Sequence, residues 1–266
     1  MLVTTSGFAH HIKHPNAYVL CHTPPHFIYD LDEYLSTPWL RKIVQTGIAT
    51  LRIPDQRAAA RHSNYRANSK YATSKVKRAY GKDVRELYCP FSTDHLPSGL
   101  APMPTQHKAL MVGRLMPYKR FDLAIRACEI AQIPLTIVGA GPDASRLGAM
   151  AGPNTTFAGR VSDEELADVW RSHSVALMPG VEDFGFAPLD ANYAGRPIIG
   201  RNEGGAVETI QPGVTGELVK SDDPNEWARV IRETLNKPWD PAALRASTKP
   251  FQLDAFKANV TAWLNE

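Results

Sequence analysis

The chain has 266 residues, of which 43% are hydrophobic, and a formal net charge of +3 at pH 7. A chain of this length buries one large core or two cores of roughly 100–150 residues each. Its three cysteines, Cys21, Cys89 and Cys128, lie far apart without a CxxC or Cys/His pairing, which argues against a disulfide framework and a zinc site. No stretch approaches the roughly 18 apolar residues of a membrane span, and residues 1–20 hold no signal-peptide core. These features predict a cytoplasmic protein.

The positive charge is concentrated in the first part of the chain. Residues 1–105 hold 13 Lys and Arg against 7 Asp and Glu, whereas residues 106–266 hold 17 against 20. Much of the excess lies in the basic region 66–85. Such a region indicates peripheral contact with an anionic membrane, here the inner face, or attraction of a phosphorylated acceptor, unless it is simply a solvated face. We do not expect nucleic-acid binding, because no recognition motif accompanies the charge.

Alternating apolar and amphipathic segments run along the chain. Before residue 98 they predict strands at 16–21 and 85–89 and helices near 38–61 and 70–80. Beyond residue 106 they predict strands at 109–113, 135–139, 174–180 and 196–200 and helices at 121–131 and 162–172. This βαβ rhythm predicts an α/β fold with parallel sheets, Rossmann-like in both halves.

The segment 98–106, SGLAPMPTQ, is rich in Pro, Ser and Gly and indicates a connection between two domains. We therefore expect one domain over 1–104 and a second over 105–266. The first is short for a doubly wound sheet, which would leave an edge strand unpaired.

Basic residues follow the first strand of the second domain, in GRLMPYKR (113–120). They project from the carboxyl edge of the sheet, where open α/β folds bind ligands. Arg114 can fork across two phosphate oxygens and Lys119 can act as a point charge, so together they can neutralise a diphosphate without a metal ion. The alternative is a strand-to-helix loop with solvated charges. Gly139 and Gly141, after the next strand, allow close backbone approach, although a lone GxG is weak evidence.

Acidic residues lie in the segment PGVEDFGFAPLD (179–190). It leads from an apolar strand through Glu182 and Gly185 to a helix that carries Asp190. Carboxylates accept hydrogen bonds from sugar and ribose hydroxyls, which explains acids beside an anion site. The alternative is that they only cap the helix.

The motifs GRLMPYKRFDLAIRA, VGAGPD, FAGRVSDEEL, LMPGVEDFGFAPLDANYAGRPII, GGAVET and GVTG occur in the order and spacing of one enzyme family. Over roughly 108–220 the chain resembles the retaining GT-B glycosyltransferases of family 4, the group 1 glycosyl transferases. The resemblance implies a complete C-terminal donor domain and a partial N-terminal acceptor-side domain. It also implies that the last helix, about 251–266, crosses back to the N-terminal lobe. Family members usually begin with further strands, so the resemblance implies an N-terminally incomplete chain, with self-association or a complementing chain as expected partners.

The resemblance also assigns roles. Arg114 and Lys119 would hold the donor diphosphate, and Glu182 the sugar hydroxyls. Asp190 stands where the family has a glutamate that contacts the ribose. The implied donor-binding set is Gly113, Arg114, Lys119, Gly139, Gly141, Arg160, Val161, Glu182, Phe184, Gly185, Phe186 and Asp190. His22 matches a histidine that faces the reaction centre, although His10, His11, His14 and His26 lie nearby and His22 could be a polar loop residue.

These roles imply a hexosyltransferase that moves a sugar from a nucleotide-diphosphate sugar to a glycan or lipid-linked acceptor with retention. The segment 182–191 resembles members that use GDP-mannose, so mannose is favoured, with glucose and other nucleotide sugars as alternatives. No metal and no further cofactor are expected. The alternative function is a non-catalytic nucleotide-sugar-binding protein or a remnant of such an enzyme.

Overall fold

A computed structural model of the chain describes residues 1–30 and 38–266, with side chains over 1–30 and 47–266. The chain forms two compact units. Unit 1 consists of Met1–Cys89 and Phe256–Glu266, and unit 2 of Pro90–Ala255. Both are α/β units with parallel sheets, which confirms the predicted fold class.

Within the described residues, unit 1 contains a four-stranded parallel sheet in the order β1-β2-β3-β4. Its strands are β1 (Leu2–Thr5), β2 (Tyr18–Cys21), β3 (Asn64–Ala67) and β4 (Arg85–Glu86). Its helices are α1 (His26–Tyr29), α2 (Pro38–Ala60), α3 (Lys70–Tyr80) and, from Phe256 onward, α11 (Leu253–Leu264). The predicted helices near 38–61 and 70–80 are confirmed, whereas β1 and β3 were not predicted.

The core of unit 1 explains this arrangement. Val19 and Ala67, from neighbouring strands, are fully buried with Val76 of α3. Helix α3 begins at Ser69, whose side chain accepts a hydrogen bond from the Ala72 amide, and ends at Gly81 in the left-handed conformation. Helix α3 therefore starts directly after β3 and covers the sheet.

Unit 2 contains a six-stranded parallel sheet in the order β10-β9-β8-β5-β6-β7. Its strands are β5 (Ala109–Val112), β6 (Leu135–Val138), β7 (Thr155–Gly159), β8 (Val175–Met178), β9 (Ile198–Arg201) and β10 (Gly216–Val219). Its helices are α4 (Phe121–Ala131), α5 (Ala144–Met150), α6 (Asp163–Ser172), α7 (Ala187–Tyr193), α8 (Ala206–Thr209), α9 (Pro224–Leu235) and α10 (Pro241–Ser247). β7 and β10 were not among the predicted strands.

The apolar runs of unit 2 form its central strands. All four residues of β8 are buried, as expected for a parallel strand covered on both faces. Ser162 and Glu165 form a capping box at the start of α6, and Asp223 caps α9 before Pro224. These local signals therefore fix where two of the helices begin.

The units divide between Cys89 and Pro90, whereas the composition placed the boundary at 104/105. The segment 90–104 belongs to unit 2 because arginines of that unit bind its carbonyl groups. Arg245 donates to Pro97 and Ser98, and Arg196 donates to Ala101 and Pro102. A Pro-rich segment has few amide donors of its own, so its composition resembles a linker even where side chains hold it in place.

Candidate functional site

The strand order of unit 2 defines where a ligand can bind. Counted from β5, the order is that of a doubly wound nucleotide-binding sheet, in which the strand order reverses between the first and fourth strands. These strands are β5 and β8, which pair through Ala109 with Val175 and Leu110 with Ala176. The loops leaving their carboxyl ends diverge and open a crevice between them. Those loops carry Lys119 and Glu182.

The loop after β5 is folded back by its own backbone. Gly113 has φ +154°, a conformation that favours glycine. A 3₁₀ turn over Pro117–Lys119 follows, and Arg120 adopts a left-handed conformation before α4 begins at Phe121. The turn directs the side chain of Lys119 over the crevice. The Lys119 side chain lies there 3.7 Å from the position that a Cβ would take on Gly113.

The loop after β8 packs directly on this turn. A Cβ at Gly180 would lie 2.5 Å from the carbonyl oxygen of Tyr118, so only glycine permits the approach. The approach brings Glu182 to Lys119, and Lys119 Nζ donates to Glu182 Oε1 in an ion pair. The predicted phosphate-binding lysine and the predicted sugar-binding glutamate are therefore partners in this state of the protein.

Lys119 and Glu182 line a cavity of about 240 Å³ at the crevice. Its wall is completed by residues of β5, β8 and the following loops: Met111, Val112, Gly113, Leu177, Met178, Gly180, Gly185, Phe186, Ala187 and Asp190. The cavity is apolar along the strands and charged at its mouth, a combination typical of small-molecule sites.

Asp190, on α7, is held by a histidine that sequence analysis missed. Nε2 of His95 lies 3.4 Å from Oδ2 of Asp190. The hydrogen bond with Asp190 raises the pKa of His95, and burial raises the pKa of Asp190. The other oxygen, Oδ1, is buried without a hydrogen-bond partner in the described part of the chain. A buried acceptor that lines a cavity and has no protein partner is suited to accept from a ligand hydroxyl.

No sequence signal marked His95. It lies within residues 1–104, which the sequence analysis assigned to the first domain, and nothing in the spacing connects residue 95 to residue 190. Only the packing of the segment 90–104 onto unit 2 brings the two together.

A second cavity, of about 340 Å³, lies beside the first and shares Val112 and Gly113 with it. It is lined by Arg114 and Arg160 together with Val138, Gly139, Ala140, Val161 and Leu166. Arg114 and Arg160 are exposed. The predicted donor residues are thus brought together, but in two adjoining cavities, one holding Lys119 and the acids and the other the two guanidinium groups.

Gly139 and Gly141, which follow β6, allow the backbone of their loop to pack directly against the backbone of the loop after β5. A Cβ at Gly139 would lie 2.0 Å from the Gly113 carbonyl oxygen, and one at Gly141 would lie 2.3 Å from that of Leu115. Gly139 lines the second cavity, whereas Gly141 lies outside both linings. Close packing of the two loops therefore accounts for Gly141 without a ligand.

The two phenylalanines of the β8 loop differ in exposure. Phe184 is buried and packs edge-on against Phe186, with ring centroids 5.1 Å apart. Phe186 is 42% exposed and lines the first cavity, as does Gly185, which has φ +77°. Phe184 thus anchors the loop, while Gly185 and Phe186 face the ligand space.

His22 lies in unit 1, directly after β2 at the carboxyl edge of its sheet. Its Nδ1 is 3.6 Å from Sγ of Cys89 and 3.5 Å from Nδ2 of Asn68. Burial lowers the pKa of His22, so the imidazole is neutral at pH 7. A neutral imidazole at a strand end can accept a proton.

A doubly wound sheet with charged residues at its reversal point, preceded by a second α/β unit, defines a GT-B protein with a Rossmann-like nucleotide-binding unit. A family model described as "Glycosyl transferases group 1" matches residues 96–250. This chain belongs to that family.

A curated relative is D-inositol 3-phosphate glycosyltransferase from Rhodococcus opacus, 29% identical over 229 residues. The alignment covers 74% of this chain and 51% of the relative. The chain spans about half the length of the curated relatives it matches.

Solved structures share the fold. Anabaena HepE, solved in complex with UDP-glucose, has a TM-score of 0.68 at 18% identity and covers 94% of this chain and 72% of its own. Sucrose-phosphate synthase from Thermosynechococcus elongatus has a TM-score of 0.69 at 19% identity, with coverage of 92% and 66%. At these identities the likeness shows the GT-B fold.

Proposed function

We propose that this protein is a hexosyltransferase that takes its sugar from a nucleotide-diphosphate sugar. The observation that carries the proposal is the cavity at the reversal point of unit 2. There Lys119, from the loop after β5, meets Glu182 and Asp190, from the segment between β8 and α7 and from α7 itself. A cation for phosphate and two carboxylates for hydroxyl groups are the chemistry that a sugar nucleotide needs.

The roles follow from charge and position. Arg114 and Lys119 neutralise the diphosphate, with Arg160 of the second cavity as a further cation. Glu182 accepts from sugar hydroxyls, and the unpartnered Oδ1 of Asp190 accepts from the ribose. Two cations in place of Mg²⁺ make donor binding independent of a metal ion.

We further propose that transfer proceeds with retention, as in family 4. The sugar would pass through an oxocarbenium-like state, and the departing diphosphate would be stabilised by Arg114 and Lys119. The leaving phosphate would take the acceptor proton on the same face, so no protein nucleophile is needed. The neutral His22 would orient the acceptor.

For the acceptor we propose a hydroxyl of a phosphorylated polyol, the class named for the curated relatives. Unit 1 has a cavity of about 260 Å³ whose described lining includes Arg52, Lys75 and Arg78 together with the carboxylate of Asp30. Asp30 pairs with Lys75 at 3.0 Å and with Arg78 at 3.4 Å. Among the described lining residues the cations outnumber the carboxylates, which favours a phosphate there. Transfer to a glycan or a lipid-linked acceptor instead is the alternative outcome of the transfer experiment.

Donor binding is tested by calorimetry with UDP, GDP and their hexose derivatives in EDTA. We expect binding that falls by at least tenfold in Arg114→Ala with Lys119→Ala, with the exposed Lys220→Ala as the matched control. Binding that requires a divalent cation, or that is unchanged in the double variant, would reject the proposal.

Transfer is tested with radiolabelled GDP-mannose and UDP-glucose, offering inositol 3-phosphate, unphosphorylated inositol or a lipid extract as acceptor. Retention is checked from the anomeric configuration of the product. Arg78→Ala should weaken only the use of the phosphorylated acceptor, with the exposed Arg85→Ala as control. Donor binding without transfer to any acceptor would identify the non-catalytic nucleotide-sugar binder instead.

A further inference from the structure

A cluster of two histidines and an aspartate lies in unit 1, outside the residues that we assign to donor or acceptor. His10 and His11 belong to the 3₁₀ turn Ala9–His11 that follows β1, and Asp55 belongs to α2. The Nε2 atoms of His10 and His11 each lie 3.0 Å from Oδ1 of Asp55. The three ligand atoms all lie within 4.8 Å of one another.

The burial of this cluster demands an explanation. The side chains of His10 and Asp55 are completely buried, and that of His11 is 35% exposed. Among the described residues, Nδ1 of His10 has no hydrogen-bond partner, and Nε2 has only the Asp55 carboxylate, at 3.0 Å and outside good hydrogen-bond geometry. A buried imidazole that is so poorly satisfied is uncommon and is consistent with an ion shared by the three side chains.

The separations fit a metal ion. Two ligands at roughly 2.0–2.1 Å from one metal are about 2.9 Å apart at right angles and about 3.4 Å apart at the tetrahedral angle. The 3.0 Å separations fall in that interval. Two imidazoles and a carboxylate are a ligand set for divalent transition metals, with remaining positions left to water.

The surroundings hold the three ligands in place. Tyr29 donates its hydroxyl hydrogen to Oδ2 of Asp55, at 3.0 Å, which leaves Oδ1 facing the histidines. Nε2 of His62 lies 2.8 Å from the carbonyl oxygen of His10, and Arg61 donates to that of His11. Outer contacts of this kind orient the ligands of metal sites.

We propose that His10, His11 and Asp55 form a site for one divalent transition-metal ion, with Zn²⁺ as the best-matched ion. The ion would tie the turn after β1 to α2 and so stabilise unit 1. It is separate from donor binding, for which we propose no metal.

The test uses the full-length, untagged protein, freed of metal by dialysis against EDTA. Co²⁺ serves as the absorption probe, and Zn²⁺ affinity is measured by its competition for the same site. We expect one equivalent per chain, a visible absorption band of low-coordinate Co²⁺, and X-ray absorption showing two imidazoles at roughly 2.0–2.1 Å from bound Zn²⁺. Thermal unfolding should shift to higher temperature with Zn²⁺.

Two variants make the result specific. His11→Ala removes the partly exposed ligand and should weaken Zn²⁺ by about 100-fold or more, since even outer-shell changes cost roughly 10–100-fold. The control is His14→Ala, an exposed histidine of the same segment, which should bind as the wild type does. Asp55→Asn should behave as His11→Ala does, and circular dichroism before metal addition shows whether each variant folds.

Binding that is not stoichiometric, or an affinity unchanged in a folded His11→Ala, would overturn the proposal, as would an equal loss in His14→Ala. Metal content is measured on variants of unit 1, whereas donor binding is measured on variants of unit 2. Failure of one proposal is therefore distinguishable from failure of the other.

Discussion

The ion pair between Lys119 and Glu182 determines what each residue can do at the cavity. The two side chains are about one-fifth exposed and neutralise each other in the absence of ligand. A diphosphate would compete with Glu182 for Lys119, and a sugar hydroxyl would take the place of Lys119 on Glu182. The pair thus keeps both charges satisfied until a donor carries both groups to the cavity.

We expect Glu182→Ala to lower sugar transfer by about 100-fold or more while the affinity for the free nucleoside diphosphate is kept or rises. In the proposed binding mode Glu182 contacts the sugar, and its removal would free Lys119 for phosphate. Calorimetry with the nucleotide and a transfer assay measure the two effects. Glu203→Ala, an exposed carboxylate on the loop after β9, is the control. Equal losses of nucleotide and donor affinity would show that Glu182 is structural.

The contact between His95 and Asp190 makes part of the stability depend on pH. The contact raises the pKa of His95 above its unfolded value of roughly 6.5. Its stabilising contribution is therefore fully present below about pH 6.5 and is lost as pH rises through the folded pKa. Burial likewise raises the pKa of Asp190, so the folded protein also holds that proton more tightly.

We expect His95→Gln to destabilise the protein by about 1 kcal/mol near pH 6 and by less near pH 8.5. Denaturant unfolding at the two pH values gives the difference, with the exposed His107→Gln as control. In an NMR titration, the pKa of His95 should be lower in Asp190→Asn than in the wild type. An unchanged pKa would show that Asp190 is not the cause.

At the scale of elements, Arg196 joins three parts of unit 2. It is completely buried between α7 and β9, and its guanidinium donates to carbonyls at the end of α6, at Trp170 and Arg171. It also donates to Ala101 and Pro102 of the segment before β5. The last carbonyls of a helix carry partial negative charge, so a buried cation there is favourable without a carboxylate.

We expect Arg196→Lys to destabilise the protein by about 2–4 kcal/mol, because an ammonium cannot reach carbonyls on several sides and leaves some of them buried and unpaired. Chemical denaturation measures the loss. Arg171→Lys, on the exposed end of α6, is the control and should change stability by less than about 0.5 kcal/mol. A comparably small effect at Arg196 would contradict its role in holding the segment 90–104.

At the scale of the whole molecule, the solvent-facing charge of the basic region 66–85 determines how strongly the protein could contact an anionic membrane. Several of its cations are paired within unit 1, including Lys75 and Arg78 with Asp30 and Arg66 with Glu266. In the described residues, no helix has the length and apolar character to span a bilayer. Peripheral contact would therefore depend on the charges that face solvent.

We expect the protein to bind vesicles of anionic lipid at low ionic strength and to leave them near 0.15 M salt, because paired charges attract little and the rest are screened. Co-sedimentation with anionic and neutral vesicles measures this. Lys77→Glu should weaken the binding, because its side chain is 65% exposed and its ion pair with the 80% exposed Asp83 is open to solvent, where such pairs contribute little. Binding that persists at high salt would show that the contact is not electrostatic.

The sequence predicted the parts of this protein that depend on local patterns. Apolar runs in the sequence predicted β5, β6, β8 and β9. The family resemblance predicted that Lys119, Glu182 and Asp190 belong to one site. The edge strands β1 and β10 were missed although they are as long as the strands that were predicted, because only two of their four residues are buried and they lack a continuous apolar run.

Contacts between distant residues could not be predicted in this way. His95 reaches Asp190, and His10 and His11 reach Asp55, only after the chain has folded. The ion pair of Lys119 with Glu182 likewise depends on a backbone approach at Gly180. The spacing of residues along the chain does not indicate such pairs. The site could therefore be described fully only from the structure.

The glycines around the donor cavities limit how donor preference can change. Gly139 and Gly180, which line the two cavities, each meet another loop backbone within about 2.5 Å of where a Cβ would stand. These positions are therefore closed to substitution, and part of the cavity wall is main chain that every variant shares. Selection for a new donor, in nature or in the laboratory, would have to act on Phe186, Glu182 and their neighbours. A library confined to those side chains samples the changes the fold can tolerate.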